Sequence, residues 1–567
     1  MRSILHKPLT WAAAALLLAA GFKLWLVGSG AAPFNSDEAV VALMARHILQ
    51  GARPVFFYGQ AYMGSLDAWL VAGAFALFGQ QVWAIRLVQG LLYLGVLVTT
   101  GLIGRRAFGS TAVGALAMLL LAIPTVNVTL YTTVSLGGYG EALLIGNLAL
   151  LAALWLGDQL YRAAGGWPFR LFLGWAMLGF LGGLGLWAFG LALVYWGPAL
   201  IYALAMAWQT GPAGAIRQRE PGSDPSQPGW PVRDWALAVL ALVGGAVLGA
   251  APWVSAAFQD GLVLLLNELG GAGIANVEQI PWIFEVGRHL AGFLLLGVTV
   301  SLGMRPPWDV TWLALPLLPF VLIFWGAVMG FMARSLRAGN SHRGEQALLV
   351  GVMAALLAGF IFSPFGADPS GRYFIPFAPL LALFAAALIL HLRSRMGNWA
   401  FALAALLLVF HLAGTLQMAW RFPPGITTQF YQPTQIDHRY DAALMDFLRQ
   451  NGEHYGYSNY WVAYPLAFLS GETLIFTPRL PYHLDFRHTE RDNRYAPYNE
   501  RAAQAGRVAY ITTNHPELDQ RLRDKLAELG VSFKERQIGD YQVFYALSQP
   551  VPPEALGFGI TRGQVDP

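Results

Sequence analysis

Apolar residues run in long unbroken blocks along the first three quarters of the chain, and polar residues gather in short stretches between them. The blocks do not alternate with a period of two, so they read as helices and not as half-buried strands. A bilayer core of about 30 Å takes about 20 apolar helical residues to cross. Only helices and closed barrels cross it without leaving backbone polar groups unpaired in lipid. The pattern predicts about 11 membrane helices, near 9–29, 84–104, 111–128, 139–157, 170–187, 189–208, 235–255, 309–333, 345–363, 373–391 and 398–418. The first follows Arg2 and Lys7, as in a signal peptide. It is longer than an h-region of about 7–15 residues, so an uncleaved first span is expected.

Arginine and lysine near the span ends orient the chain. Arg2, Lys7, Arg105, Arg106, Arg162, Arg170, Arg217, Arg219, Arg334, Arg337, Arg343, Arg393 and Arg395 fall on one side, which is expected to be cytoplasmic. The N-terminus then lies inside and the C-terminus outside. Two external loops result, 30–83 and 256–308. Each holds an apolar stretch, 66–78 and 290–300, too short for a crossing and expected to lie in the interface or re-enter. Residues 209–234, rich in Pro, Gly, Ser and charge, read as a linker.

After Trp420 the long apolar blocks stop and charge rises. Helices are expected at 442–450 and 516–529, and strands at 454–457, 473–477, 508–512 and 542–546. That alternation suggests a small α/β domain. The fold class is therefore a polytopic α-helical membrane protein over residues 1–420, with an extracytoplasmic α/β domain over 421–567.

Composition agrees. The chain is 56% hydrophobic and 12% charged, against about 25% charged for a typical soluble domain. Absence of Cys excludes disulfides and thiolate metal sites. The net charge of +4 is spread over loops, which argues against nucleic acid as a partner.

The chemistry-bearing residues gather at the outer face. Asn35-Ser36-Asp37-Glu38 opens the first loop. One reading is a capped helix start, with Asn35 or Ser36 as the cap and two acids favouring the dipole. The other is catalytic: a carboxylate in a partly apolar cleft serves as a general base. The loop continues through Tyr58, Gln60, Tyr62 and Asp67, whose aromatic faces and polar groups suit a sugar ring or mark an interfacial aromatic belt. Tyr139 and Glu141 follow a Gly-rich backbone at the outer end of a span, where an ionisable group suggests function. Arg86 and Arg372, the latter followed by Tyr373, stand where loops enter spans, at the depth of a lipid phosphate. Arg suits phosphate because its fork bonds two oxygens, although snorkelling explains the same positions. Lys23 reads as a snorkelling residue and His47 as a packing residue. Asp37, Glu38, Asp67 and Glu141 offer oxygen ligands to a divalent cation, but their spacing matches no metal loop and no metal is predicted. In the C-terminal part, the aromatic stretch 455–464 fits either an acceptor surface or a buried seam. The mixed charges over 485–494 read as a solvated loop.

The acidic pair after the first span, the amphipathic helix, the aromatic stretch, Leu77-Phe78-Gly79, Arg86, Arg105-Arg106 and Arg372-Tyr373-Phe374-Ile375-Pro376 together resemble the GT-C glycosyltransferases. The likeness is to the family 39 branch of protein mannosyltransferases and aminoarabinose transferases, over residues 1–420. It implies inverting transfer of a sugar from a polyprenyl-phosphate donor to an acceptor hydroxyl on a glycan, lipid or protein. Asp37 would be the base and Glu38 its helper. Arg372, Arg86 and Tyr373 would hold the donor phosphate, and Tyr58, Gln60, Tyr62, Asp67, Tyr139 and Glu141 the sugar or acceptor. Where many relatives carry Lys-Pro-Pro after Pro54, this chain has Tyr58-Gly59-Gln60. Two other classes compete. A transporter or lipid flippase also has many spans and few charges, but it commonly shows repeated halves with mid-bilayer sites, and this chain shows neither. A scaffold presenting the C-terminal domain needs no first-loop acid.

Overall fold

The computed structural model describes residues 8–163, 167–210, 231–271, 281–307, 309–339, 341–421, 425–429 and 431–558. Arg2, Lys7, Arg217, Arg219 and most of the expected 209–234 linker lie outside them. Among the described residues, ten stretches are long and apolar enough to cross a membrane. The longest, Phe377–Trp420, comprises two helices, Phe377–Met396 and Phe401–Arg421, parted at Gly397. The chain is an integral membrane protein.

The first elements build the site. They are α1 (Pro8–Ser29), α2 (Ser36–Leu49), α3 (Leu66–Phe78), α4 (Val82–Ala107), α5 (Thr111–Ala122), α6 (Val126–Tyr131) and α7 (Tyr139–Arg162). A short hairpin, β1 (Phe56–Phe57) with β2 (Gln60–Gly64), links α2 to α3. The expected span at 111–128 is instead α5 and α6. Pro124 stands between them, and a proline has no N–H to continue a helical ladder. Thr125 restarts the chain by capping Val128 N.

The second loop differs from expectation too. The 290–300 stretch belongs to a longer apolar run, Trp282–Ser301, which is 20 residues and long enough to cross. It passes through a π-helical turn at Phe293–Gly297. Its partners lie at the end of the helix Arg343–Phe362 and in the segment after it: Trp282 stacks on Phe362, His289 bonds the Ile361 carbonyl, and Phe293 meets Phe374.

Small residues let helices approach closely, as they do where lipid supplies no hydrophobic drive between them. Gly179 and Gly183 face Gly245 and Gly249 across one such pair, each lying against backbone of the opposite helix.

After Arg421 the chain forms a five-stranded sheet of order β4-β3-β5-β7-β6. Its strands are β3 (Tyr455–Ser458), β4 (Ile475–Pro478), β5 (Ala509–Thr513), β6 (Lys534–Ile538) and β7 (Tyr541–Tyr545). Strand β3 is parallel to β4 and β5, and β7 is antiparallel to β5 and β6. Four strands match the expected positions within two residues. Strand β6, Lys-Glu-Arg-Gln-Ile, is an exposed edge with no apolar alternation to announce it. A wholly apolar helix, Tyr460–Leu469, carries the aromatic stretch and packs on α2. Its Phe468 ring lies against Phe34 and Phe75, so one apolar core joins the membrane portion to the sheet domain.

Candidate functional site

The start of α2 separates two adjacent acids. Asn35 Oδ1 accepts from Glu38 N at 3.0 Å and caps the helix. Glu38 then points inward with no solvent exposure. Arg86 of α4 donates Nε to Oε1 at 3.0 Å and Nη2 to Oε2 at 2.9 Å. This two-point pair is among the stronger hydrogen-bonded geometries. Burial pushes the Glu38 carboxyl above its ordinary range, and Arg86 opposes that push. Asp37, one residue and about 100° further round the helix, is partly exposed. Its Oδ1 accepts from the Tyr460 hydroxyl at 2.5 Å. Its Oδ2 accepts no hydrogen bond from the described residues.

Tyr460 begins the aromatic helix of the C-terminal domain, where Asn459 caps by accepting from Trp461 N. The Arg494 guanidinium stands 5.5 Å from the Tyr460 ring centre. It shares the electrostatic neighbourhood of Asp37, Asp492 and Tyr62. Burial raises the Asp492 carboxyl to about 7, with Arg494 opposing and Asp37 adding to the rise.

The same domain grips α2 along its length. Ser36 Oγ donates to the Tyr460 carbonyl at 2.5 Å. His47 Nε2 meets Glu472 at 2.8 Å and its Nδ1 meets the Tyr58 hydroxyl at 3.1 Å. Burial acts to raise Glu472, but bonds from His47 and Tyr498 and the nearby Arg46 outweigh it and bring the carboxyl to about 2. Tyr58 stacks on Tyr495 at 4.8 Å. At the hairpin tip, Gly59 has a φ of +71° and lies against Arg494 backbone, where any side chain would crowd the contact. Gln60 follows that tip in β2.

A second cationic group has Tyr62 among its electrostatic neighbours. Gly371, at φ +115°, turns the backbone, and its carbonyl accepts from Asn127 Nδ2 at 2.9 Å. The next residue, Arg372, pairs through Nε with Asp368 Oδ2 at 2.5 Å. Its guanidinium lies 4.9 Å from the Tyr373 ring centre. Tyr62 and Tyr139 stand in the same electrostatic neighbourhood. Phe365 meets both Tyr373 and Tyr62, and Tyr139 meets Tyr131 at 4.8 Å. Tyr62 therefore lies within electrostatic reach of both Arg372 and Arg494.

Below them is a buried polar layer. Asp67 accepts from Gln89 Nε2 at 3.0 Å and from the Ser135 hydroxyl. Glu141 is buried in electrostatic contact with Asp67. Among the described residues no group of three or more His, Asp or Glu is placed to hold a metal ion.

The sequence matches no protein-family profile and no curated protein. Solved structures do match. The archaeal oligosaccharyltransferase AglB from Archaeoglobus fulgidus, in complex with an inhibitory peptide and a dolichol-phosphate, aligns at 14% identity and a TM-score of 0.51, over 88% of this chain and 69% of that one. ArnT from Cupriavidus metallidurans, bound to undecaprenyl phosphate, aligns at 13% identity and a TM-score of 0.50, over 99% of both chains. The chain shares the fold of these two structures.

Of the expected site residues, Tyr62, Tyr139 and Tyr373 lie in the electrostatic neighbourhood of Arg372, and Tyr62 and Asp37 in that of Arg494. Arg86 does not present an open fork, because Glu38 occupies it. Tyr58 belongs to the seam between the first loop and the C-terminal domain. Lys23 is not a snorkelling residue. It is buried, donating to Thr132 and Thr133 at 2.7 and 2.6 Å and lying 4.7 Å from the centre of the Tyr93 ring. Arg494 was not expected at the site, and Tyr460 only within a stretch read as an acceptor surface or a buried seam. Both lie in stretches the sequence marks as unusual, but the charge run 485–494 reads as solvated, whereas Asp492 is buried and Arg494 packs over Tyr460.

Proposed function

We propose that the chain transfers a sugar from a polyprenyl-phosphate donor to an acceptor hydroxyl, with inversion, at the extracytoplasmic face of a cytoplasmic membrane. Residues 1–420 form the membrane unit and 421–567 the outer domain. The reading rests on one observation: a partly exposed carboxylate, Asp37, has one oxygen held while the other accepts no hydrogen bond from the described residues, and an aromatic-walled arginine, Arg372, shares the electrostatic neighbourhood of Tyr62. The lipid phosphates bound to AglB and ArnT agree with a lipid-linked donor for the same fold.

The chemistry follows from the two ends of that region. Asp37 Oδ2 takes the acceptor proton, and the acceptor oxygen attacks the anomeric carbon from the face opposite the phosphate. The bond from that carbon to the phosphate oxygen breaks, and polyprenyl phosphate departs as an anion. Arg372 stabilises the charge gathering on the phosphate, aided by the Tyr373 hydroxyl. Tyr62 and Tyr139 flank the sugar between them. Gln60, Asp67 and Glu141 line or support the acceptor side, and Glu38 and Arg86 hold the start of α2 in place. Purified protein in nanodiscs, offered a panel of polyprenyl-phosphate sugars, is expected to release free polyprenyl phosphate, followed by mass spectrometry. Release from none of them, with lipid or substrate flux in proteoliposomes instead, would reject the proposal.

A further inference from the structure

The residue holding Asp37 comes from the far end of the chain. Tyr460 lies 423 positions away in sequence, yet its hydroxyl donates to Asp37 Oδ1 at 2.5 Å. We infer that Tyr460 is a positioning residue for the base, so the C-terminal domain completes the catalytic centre of the membrane portion. The inference rests on the glycosyl-transfer reading given above.

Three features support it. A carboxylate on a short side chain can swing between rotamers, and only some present an oxygen to the acceptor. A hydroxyl bonded to one oxygen fixes the plane of the group and leaves the other oxygen free. Positioning of this kind matters because small misplacements of a reacting group cost large factors in rate.

The hydroxyl is itself held from several sides. Its ring is 3% exposed, with Arg494 over it and Trp461 and Tyr464 at its edges, 5.2 and 5.5 Å between ring centres. Arg494 is fixed by its own backbone, whose N–H donates to the Tyr464 hydroxyl at 2.6 Å. The Tyr464 hydroxyl in turn donates to the Asp492 carbonyl at 3.1 Å. Hence the aromatic helix and the 492–494 turn are one unit, with Tyr460 as the part that reaches Asp37.

The domain is also registered on α2 at both ends. Ser36, beside Asp37, bonds the Tyr460 carbonyl. Three turns along, Arg46 Nη2 donates to the Phe468 carbonyl at 3.1 Å and His47 meets Glu472. A shift of the domain along α2 would move the Tyr460 hydroxyl off the carboxylate. Domain docking and base orientation are therefore one event in this geometry.

The test uses Tyr460→Phe, which removes one hydroxyl and keeps the packed ring, in the full-length protein in nanodiscs. Glu472→Gln is the comparison variant, because it weakens the seam without touching Asp37. Two readouts are taken. The first is the infrared carboxylate bands of Asp37, isolated as those lost in Asp37→Asn, which need no turnover. The second is donor turnover. For Tyr460→Phe the Asp37 bands are expected to shift, and kcat to fall about tenfold with donor KM unchanged. For Glu472→Gln, which loosens the docking that carries Tyr460, the bands are expected to shift in the same direction but less. Unshifted Asp37 bands in Tyr460→Phe would overturn the inference, whatever the rate does, as would a shifted band with wild-type kcat. If wild-type protein turns over no donor, the glycosyl-transfer reading fails by itself, and the bands still report whether Tyr460 holds Asp37.

Discussion

Arg86 holds both oxygens of Glu38, Nε on Oε1 at 3.0 Å and Nη2 on Oε2 at 2.9 Å. Two neighbouring acids thereby take separate duties. Glu38 ties α2 to α4 in the interior, and Asp37 stays open at the surface of the site. Removing one partner of a buried ion pair leaves an uncompensated charge, which typically costs about 3–5 kcal/mol. Glu38→Ala is therefore expected to lower the melting temperature clearly, while Asp37→Asn leaves it near wild type. Thermal unfolding in detergent, read by intrinsic fluorescence, checks both. Equal melting temperatures for wild type and Glu38→Ala would remove the structural role given to Glu38.

Arg372 is assigned to the leaving phosphate. Arg372→Ala is expected to weaken donor binding at least tenfold, since a hydrogen-bonded contact to a charged group is worth about 1.5–3 kcal/mol. Arg372→Lys keeps the charge but not the fork, and should recover only part of the loss. Binding of a polyprenyl-phosphate sugar to both variants in nanodiscs measures this directly. Unchanged affinity in Arg372→Ala would move the phosphate elsewhere.

Asp492 gives a pH signature. Its folded-state carboxyl is raised by burial to about 7, against about 3.9 for a free Asp. Below about 4 both folded and unfolded chains are protonated there, and nothing is lost. As pH rises from about 4 to about 7 only the unfolded chain ionises, so this group withdraws stability. Above about 7 the loss is complete. The melting temperature should therefore fall across that window, and Asp492→Asn should flatten the fall. A slope identical in wild type and Asp492→Asn would contradict the burial of this carboxyl.

Much of this was legible in the chain. Apolar blocks of span length announce membrane helices whatever they pack against, because lipid fixes their length. Asp37 and Glu38 are visible as adjacent acids after a span, with Asn35 or Ser36 as their cap, and the structure selects Asn35. Which acid turns inward was not visible, because it depends on where Arg86 of α4 arrives, 48 positions away. The same holds for Tyr460, whose value comes from a contact across 423 positions. The aromatic helix was hidden by its own composition: with every residue from Tyr460 to Phe468 buried, it has no polar face to set a helical period. Strand β6 failed for the opposite reason, being too polar to alternate. The break at Pro124 needed no tertiary information, and a proline inside a short apolar block was the available signal.

The most direct test of the central claim compares wild type with Asp37→Asn in a single-turnover assay, using a polyprenyl-phosphate sugar and measuring donor binding in the same samples. Loss of a general base costs about 10²–10⁴ in rate. The account expects a fall of that size in polyprenyl phosphate release, with donor affinity and melting temperature kept. Wild-type release rates in Asp37→Asn would contradict it and remove Asp37 from the chemistry.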